Sequence, residues 1–406
     1  MALLTALSVV SGWACGNELE DWSARELRIL SSLALNSETS APTNPSNRFA
    51  DNPEAAAFGK QLFFETRLSG TGDISCATCH DPNRRFTDGK MRSEGSKGVM
   101  RNSPTIVGAA FNAWFYWDGR RDSLWSQALV PFEAAEEMGG SRLAVLNLVA
   151  SEPAYRQQYE SLFGDLPPGL VAGAVPRTGG PFSAGRDRDA WYSIPVSQQR
   201  ELNQAYANVG KAIAAYERTL APAPGRFDRY VETVIGGRAL SDKDRPSPSE
   251  LAGIKLFIDD DRTQCLRCHN GPNFSNGGFH NIGSGTFRGS GLDFGREIGL
   301  RAVLMDEFNC LGPYSDARPD QCAELRFLNR DSHVPLVGAF KVPSLRGLTE
   351  TAPYFHDGRF STISGVLEHY NSPPSQEAVG PHELTPMNLT EAELRSLEAF
   401  LRMLSD

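Results

Sequence analysis

Apolar residues recur at helical spacing in several segments of the chain, whereas segments that alternate apolar and polar residues are scarce. Asn52 can cap one such segment, with Pro53 at the first helical position. Thr390 and Glu393 form a capping-box pattern before another. The segments with helical spacing cover residues 21–35, 54–64, 249–257 and 390–404. The pattern predicts a mainly α-helical fold.

An internal repeat relates the two halves of the chain. In each half a Gly-containing helical segment precedes a cysteine pair, and a Pro-containing run is followed at the same interval by an Asp-Gly-Arg sequence. The matching segments are 59–63 with 253–257, 104–108 with 343–347, and 117–120 with 356–359. The repeat predicts two similar domains.

Residues 166–200 are rich in Gly, Pro and Arg and lack sustained periodicity, which places the domain junction there. Residues 36–50 are polar and contain Pro, as is typical of a surface strap. The predicted organisation is a signal or lipoprotein segment (1–17), an N-terminal helix and strap (18–51), a first domain (52–200) and a second domain (201–406) with an insertion at about 271–335.

The composition and the N-terminal segment indicate which partners and which compartment to expect. The 406 residues are 40% hydrophobic and 22% charged, with a formal net charge of -9, which argues against nucleic acid as a partner. The apolar run from Ala2 to Ala14 is shorter than the roughly 20 residues of a membrane-spanning helix and is similar to a secretion signal. We therefore expect a periplasmic protein. Cys15 is a candidate for lipid attachment, the alternative being a terminal cysteine without a role.

Four of the seven cysteines lie in two Cys-x-x-Cys-His runs, the attachment signature of c-type haem. In this signature two thiols bind the haem vinyl groups and the adjacent histidine binds the iron. A zinc site or a redox dithiol would not require a histidine directly after each pair. The sequence predicts two covalent haem c groups, held by Cys76, Cys79 and His80 and by Cys265, Cys268 and His269.

Cys310 and Cys322 lie close together within the insertion, and an oxidising compartment would favour a disulfide between them. The alternative is a pair of unrelated buried thiols.

The supply of further ligands differs between the two haems. No histidine lies between His80 and His269, so only methionines or less usual residues could fill the sixth position of the first iron, and we expect that position to be open. The methionines are Met91, Met100 and Met138. Candidates at the second haem are His280, His333, His356, His369 and Tyr370.

With these residues the chain resembles the bacterial di-haem cytochrome c peroxidases and their MauG-like relatives over nearly its whole length after Asn52. The resemblance rests on both haem-attachment runs, on the motifs FYWDGR (115–120) and EMG (137–139), on Gln127 and Pro131, and on TAPYFHDG (351–358). It implies two cytochrome c-like domains.

The resemblance also implies a calcium ion between the domains, with Asn102, Thr351 and Pro353 at the matching positions. It implies that Trp117 lies between the haems as an electron relay. Without the resemblance, Trp117 would be read as a packed core residue.

Glu137 matches the distal acid of the family, which moves a proton between the two oxygens of peroxide, and Gln127 and Pro131 match residues that line the same pocket. Glu137 read alone would be a solvated charge. His356 matches a histidine in the haem environment, the alternative being a structural hydrogen bond.

Tyr370 stands where the peroxidases have a methionine ligand and the MauG-like branch has tyrosine. A phenolate ligand would stabilise oxidised iron, while a core position for Tyr370 and ligation by His369 are the alternatives. The resemblance to MauG implies that hydrogen peroxide stores two oxidising equivalents across both haems, which then oxidise a partner protein at long range. No Trp precedes Cys265 as it does in MauG, so the docking route should differ.

The N-terminal segment and the run Ser123 to Gln127 are similar to the methanobactin-associated MbnH group, which oxidises a tryptophan of a small partner to kynurenine. The implied partner is a periplasmic protein such as a copper-binding MbnP-like one. Two other functions stay open: a peroxidase that takes electrons from a small redox protein, and a pure electron-transfer cytochrome.

Overall fold

The computed structural model describes residues 22–36, 39–287, 291–328 and 336–406. Cys15, His333 and the predicted signal segment lie outside these residues. The described chain is mainly α-helical, which confirms the predicted fold class. No helix within the described ranges has the length and apolarity needed to cross a membrane.

The α-helices are joined by connections of very different length, the longest running from Cys79 to Leu124. Those up to the middle of the chain are α1 (Ala24–Leu33), α2 (Pro53–Phe63), α3 (Cys76–Cys79), α4 (Leu124–Glu133), α5 (Arg142–Ser151), α6 (Pro153–Phe163), α7 (Pro168–Val171), α8 (Gly185–Tyr192) and α9 (Val196–Arg218). The later ones are α10 (Arg226–Ile235), α11 (Pro248–Ile258), α12 (Arg296–Met305), α13 (Ala323–Arg326), α14 (Ile363–Asn371), α15 (Gln376–Val379) and α16 (Glu391–Met403).

Two small antiparallel sheets complete the described structure. They pair β1 (Phe279–His280) with β4 (Phe340–Lys341), and β2 (Thr286–Phe287) with β3 (Gly291–Leu292).

The predicted caps form the helix starts. The Asn52 side chain accepts a hydrogen bond from the backbone N–H of Ala55 at 2.9 Å, which starts α2. Thr390 and Glu393 exchange side-chain and backbone hydrogen bonds in a capping box at the start of α16. Both predicted caps are confirmed. They could be predicted because each acts within one turn of the chain.

The first hydrophobic core surrounds α9, which packs against α2 and α4. Fifteen residues of α9 between Leu202 and Glu217 are buried. The predicted domain boundary after Arg200 falls inside this helix. We propose that the first domain extends to Arg218, since a helix buried along one core belongs to that core.

The second core contains α10, α11, α14 and α16, and α1 packs on it as well. Trp22 donates a hydrogen bond from its ring nitrogen to the Tyr230 hydroxyl at 2.8 Å. The strap that follows α1 then reaches the first core, where the Ser46 hydroxyl accepts a hydrogen bond from the ring nitrogen of Trp125 at 3.0 Å. The N-terminal segment thus ties the two cores together.

The insertion of the second half packs against the first half. Phe308 and Tyr314 lie within the first core, and Cys310 and Cys322 form the predicted disulfide. Four ion pairs with N···O distances of 2.7–3.2 Å join the insertion to the first half, between Arg101 and Asp293, Arg121 and Asp306, Arg142 and Glu307, and Lys211 and Asp316.

The repeated glycine of each half lies where two helices cross at close range. A Cβ on Gly59 would overlap the backbone carbonyl of Ala212 in α9, and one on Gly253 would overlap that of Ser396 in α16. The repeat therefore preserves the same close helix crossing in both domains.

Replacing Gly253 with Ala is expected to lower the free energy of unfolding by about 1–3 kcal/mol, because the helices must separate to admit the methyl group. Urea titration of the holoprotein measures this. Ser249→Ala in the same helix is the control, and it should change little, because this exposed side chain makes only a long 3.4 Å hydrogen bond to the Ser396 hydroxyl and its replacement adds no atom to the crossing. Equal stability of the two variants would contradict the close-crossing argument.

Candidate functional site

One large cavity connects the two predicted haem-binding runs. Its volume is about 1200 Å³, above the roughly 300–1,000 Å³ of ordinary ligand pockets. Its wall is mainly apolar and includes all four cysteines of the two runs, with His80 and His269. The segments that the repeat predicts to be equivalent therefore meet around one space.

The two histidines are held in the same way. Nδ1 of His80 lies 3.1 Å from the carbonyl oxygen of Phe86, and Nδ1 of His269 lies 2.9 Å from that of Phe274. Both phenylalanines have positive φ angles, 56° and 49°, which turn their carbonyls toward the imidazoles. A carbonyl on Nδ1 orients the ring and leaves Nε2 to bind a metal.

The cavity wall fits two haem c groups. Burial raises the pKa of the Cys76 thiol above its ordinary range and that of Cys265 to about 11. The Glu217 carboxyl is buried beside Cys76 with one oxygen that has no hydrogen-bond partner among the described residues, and burial raises its pKa to about 8. An apolar cavity with paired thiols, anchored imidazoles and an unpaired polar atom suits a large, mostly apolar group with polar edges.

The two halves differ at one decisive position. Helix α4 is capped by Ser123 and α14 by Thr362, and these equivalent caps place the helices at matching positions in the repeat. Eight residues after each cap stand Pro131 and Tyr370, and both line the cavity. Proline has no side-chain atom that can bind iron, whereas a tyrosine oxygen can.

Tyr370 and His369 face different directions. Tyr370 lines the cavity, with both cysteines of the second run close enough to influence its pKa. His369 is not part of the cavity wall, and its Nε2 lies 2.8 Å from the carbonyl oxygen of Ile282. Of these two neighbouring candidates, only Tyr370 can reach a group in the cavity.

The candidate methionines of the first half are placed differently from one another. Met91 is 56% exposed and outside the cavity wall. Met100 lines the cavity but is 49% exposed. Met138 is buried in the first core beside Glu137, and it also lines the cavity.

Glu137 lines the cavity on the side of Pro131, together with Gln127. Its side chain is 21% exposed, and a guanidinium nitrogen of Arg120 lies 3.8 Å from its carboxylate. Burial raises the pKa of this carboxyl, against the opposing effect of the Arg120 charge. A carboxyl with a raised pKa can accept a proton and return it at a higher pH than an ordinary glutamate.

Trp117 lies in the wall between the halves. Its ring nitrogen donates a hydrogen bond to the carbonyl of Asn102 at 2.9 Å, and its own carbonyl accepts one from the backbone N–H of Lys341 at 2.8 Å. Trp117 is thus bonded to both halves of the molecule.

The predicted calcium ligands Asn102, Thr351 and Pro353 all line the same cavity. No cluster of three or more acidic, histidine or cysteine side chains suited to a metal occurs in the part of the chain that the structure describes. A calcium ion here would be bound by carbonyl and amide oxygens, which hard cations accept.

Two further histidines line the cavity. His356 is 2% exposed and stacks on Phe340 with 3.7 Å between ring centroids, and burial lowers its pKa to about 4. His280 makes an ion pair with Glu383 at 2.6 Å.

Sequence reasoning did not single out Arg120 or Tyr116 in this pocket. The guanidinium of Arg120 lies 3.4 Å from the centroid of the Tyr116 ring. Both residues belong to the motif at 115–120. The sequence feature that could have identified them is the position of this motif in the repeat, because the repeat brings the motif to the cavity wall.

Comparison with known proteins agrees with this geometry. The family model described as di-haem cytochrome c peroxidase matches residues 53–234. The methylamine utilization protein MauG of Methylorubrum extorquens is 30% identical over 354 residues, covering 87% of this chain and 78% of that protein. The cytochrome-c peroxidase IdrP1 of a Pseudomonas species (strain SCT) is 29% identical over 372 residues, covering 90% of this chain and 85% of that protein.

The solved structure of a MauG-like protein associated with microbial copper homeostasis has a similar fold. Its TM-score is 0.58 at 23% identity, and the match covers 92% of this chain and 96% of that one.

Proposed function

Because this chain belongs to the di-haem cytochrome c peroxidase and MauG family, we propose that it uses hydrogen peroxide to oxidise a residue of a partner protein at long range. Members of the family are oxidoreductases with two haem c groups. The observation that carries the proposal is the contrast between Pro131 and Tyr370 at equivalent positions of the cavity. It supports an open first haem and a tyrosine-bound second haem.

The two haems supply the chemistry of storing two oxidising equivalents from peroxide. His80 and His269 orient them through the carbonyls on their Nδ1 atoms. Glu137 would accept a proton from one oxygen of hydrogen peroxide in the cavity and return it to the other oxygen, which leaves as water. Gln127 and Pro131 border the space in which this transfer takes place.

Trp117 connects the two halves as an electron relay in this proposal. Its hydrogen bonds to Asn102 and Lys341 hold the ring in the wall of the shared cavity. A calcium ion near Asn102, Thr351 and Pro353 would fix the same region.

The proposed substrate is a tryptophan of a periplasmic partner, converted to kynurenine. Two hydrogen peroxide molecules add two oxygen atoms to the indole to give N-formylkynurenine and release two water molecules, and hydrolysis then releases formate. The resemblance to MauG is the reason for proposing a protein substrate. The fold shared with a MauG-like protein associated with microbial copper homeostasis is the reason for choosing a copper-linked one. A small copper-binding MbnP-like protein is the partner of choice for a first test.

The test is to incubate the diferric holoprotein with hydrogen peroxide and a candidate partner, then to map the partner by peptide mass spectrometry. We expect a mass gain of two oxygen atoms at one tryptophan, or the kynurenine product, only when enzyme and peroxide are both present. A partner left unmodified while peroxide is consumed would contradict the proposal for that partner.

A peroxidase that reduces peroxide to water is the second candidate, favoured by the Glu137 pocket and by relatives named cytochrome-c peroxidase. Rapid turnover with a reduced small redox protein as electron donor would identify it. Two haems that ignore both peroxide and cyanide would instead indicate a pure electron carrier.

A further inference from the structure

The chain forms the same unusual turn twice. Tyr116 has a φ angle of 65° and Phe355 one of 71°, in the left-handed region that side chains other than glycine seldom occupy. Each turn is closed by an antiparallel bridge, Phe115 to Arg121 in the first half and Tyr354 to Phe360 in the second. Non-glycine residues in this region often mark functional positions.

The second half shows which way the side chain of this turn faces. Phe355 lines the cavity, and its ring lies edge-on to that of Tyr370, with 6.5 Å between centroids. Tyr116 and Pro131 both line the cavity, at the positions that the repeat makes equivalent to Phe355 and Tyr370. The two aromatic residues differ only by the hydroxyl, which is present in the half that has Pro131 where the other half has Tyr370.

The hydroxyl of Tyr116 is buried in the cavity wall, and no described residue meets the distance and angle of a hydrogen bond to it, although the Gln127 side chain is near enough to interact with it. Gln127 is its polar neighbour, and Glu137 is close enough to disfavour the phenolate. Burial raises the pKa of this phenol far above neutrality, so the group keeps its proton. A buried donor without a partner costs free energy unless a ligand satisfies it.

The position of Arg120 distinguishes between two roles for the Tyr116 phenol, a hydrogen-bond donor and an electron relay. Its guanidinium lies 3.4 Å from the Tyr116 ring centroid, and a positive charge over the ring disfavours removal of an electron from it. The contact therefore favours a hydrogen-bond donor over an oxidisable relay.

We propose that Tyr116 is a further catalytic residue of the peroxide pocket, whose neutral phenol donates a hydrogen bond to the bound peroxide while Glu137 transfers the proton. The inference rests on the proposed function, because it needs the first haem to bind small ligands. Tyr116 keeps its own proton throughout, so the proton balance remains that of Glu137 alone. Its role is to stabilise charge that develops on the peroxide oxygens.

The test compares Tyr116→Phe with the wild-type holoprotein in two measurements: the equilibrium affinity for cyanide and the rate constant with hydrogen peroxide. Both should fall by about tenfold or more, the effect expected from losing one hydrogen bond to a ligand. The infrared stretching frequency of bound cyanide should also shift. The variant should fold, since Phe355 adopts the same backbone conformation.

Tyr206→Phe is the matched control, because it removes a buried hydroxyl of the same core that donates to the carbonyl of Leu129 and does not line the cavity. It should leave cyanide affinity and peroxide rate unchanged. If either quantity in Tyr116→Phe stays at the wild-type value, the inference is overturned. If the wild-type protein binds cyanide but does not react with peroxide, the proposed function fails instead.

Discussion

Replacing Glu137 with Gln is expected to slow the reaction with hydrogen peroxide by about 10²–10⁴-fold, the range for loss of one general acid–base group. The amide keeps the size of the side chain but cannot take a proton from one peroxide oxygen and return it to the other. Stopped-flow absorbance of the diferric protein measures the rate. Haem content should stay that of the wild type, since Glu137 is not part of either attachment run.

Glu136→Gln is the control for charge. Glu136 precedes Glu137 in the chain and is exposed to solvent. Its replacement removes the same charge and leaves the Glu137 carboxyl in place, although it takes away one of the influences that raise the pKa of Glu137. Equal loss of rate in both variants would mean that Glu137 acts through the local field and not as a proton carrier.

The pH dependence gives an independent check on Glu137. The side chain must be ionised to accept the proton of peroxide, and burial raises its pKa. The wild-type rate should therefore fall as the pH is lowered through that raised pKa, at a higher pH than for an ordinary glutamate. In Glu137→Gln the rate of reaction with hydrogen peroxide should be low and should not fall further as the pH is lowered.

The local features of the fold were accessible from the sequence. Caps such as Asn52 act on backbone groups within one turn, so they could be read directly. The repeat also identified Gly59 and Gly253, although the reason for those glycines, a close crossing with a helix far away in the chain, appears only in three dimensions.

Long-range features were harder to predict. The expected boundary after Arg200 falls within α9. The segment before this helix has a surface-like composition, which suggests a junction there. The face of α9 that is buried is determined by its packing against α2 and α4, which are distant in the sequence. The contacts of the insertion with the first half, such as Asp293 with Arg101, have no local signal. The same holds for the pocket position of Arg120, whose partner Glu137 lies 17 residues away.

Replacing Tyr370 with Met is expected to raise the midpoint potential of the second haem by roughly 100 mV or more, because axial ligands set haem potentials over a range of about 0.8 V. A thioether favours reduced iron, whereas a phenolate favours oxidised iron. Spectroelectrochemical titration measures the potential, and low-temperature EPR reports the change of ligand.

His369→Gln serves as the comparison, since His369 lies outside the cavity wall and contacts the carbonyl of Ile282. It should preserve the EPR signal and the potential. A protein-modifying oxidase needs the second haem to share oxidising equivalents, so Tyr370→Met should also reduce partner modification while peroxide consumption continues. An unchanged EPR signal in Tyr370→Met, or a lost signal in His369→Gln, would show that Tyr370 is not the ligand of the second haem. The contrast with Pro131, on which the proposed function depends, would then no longer hold.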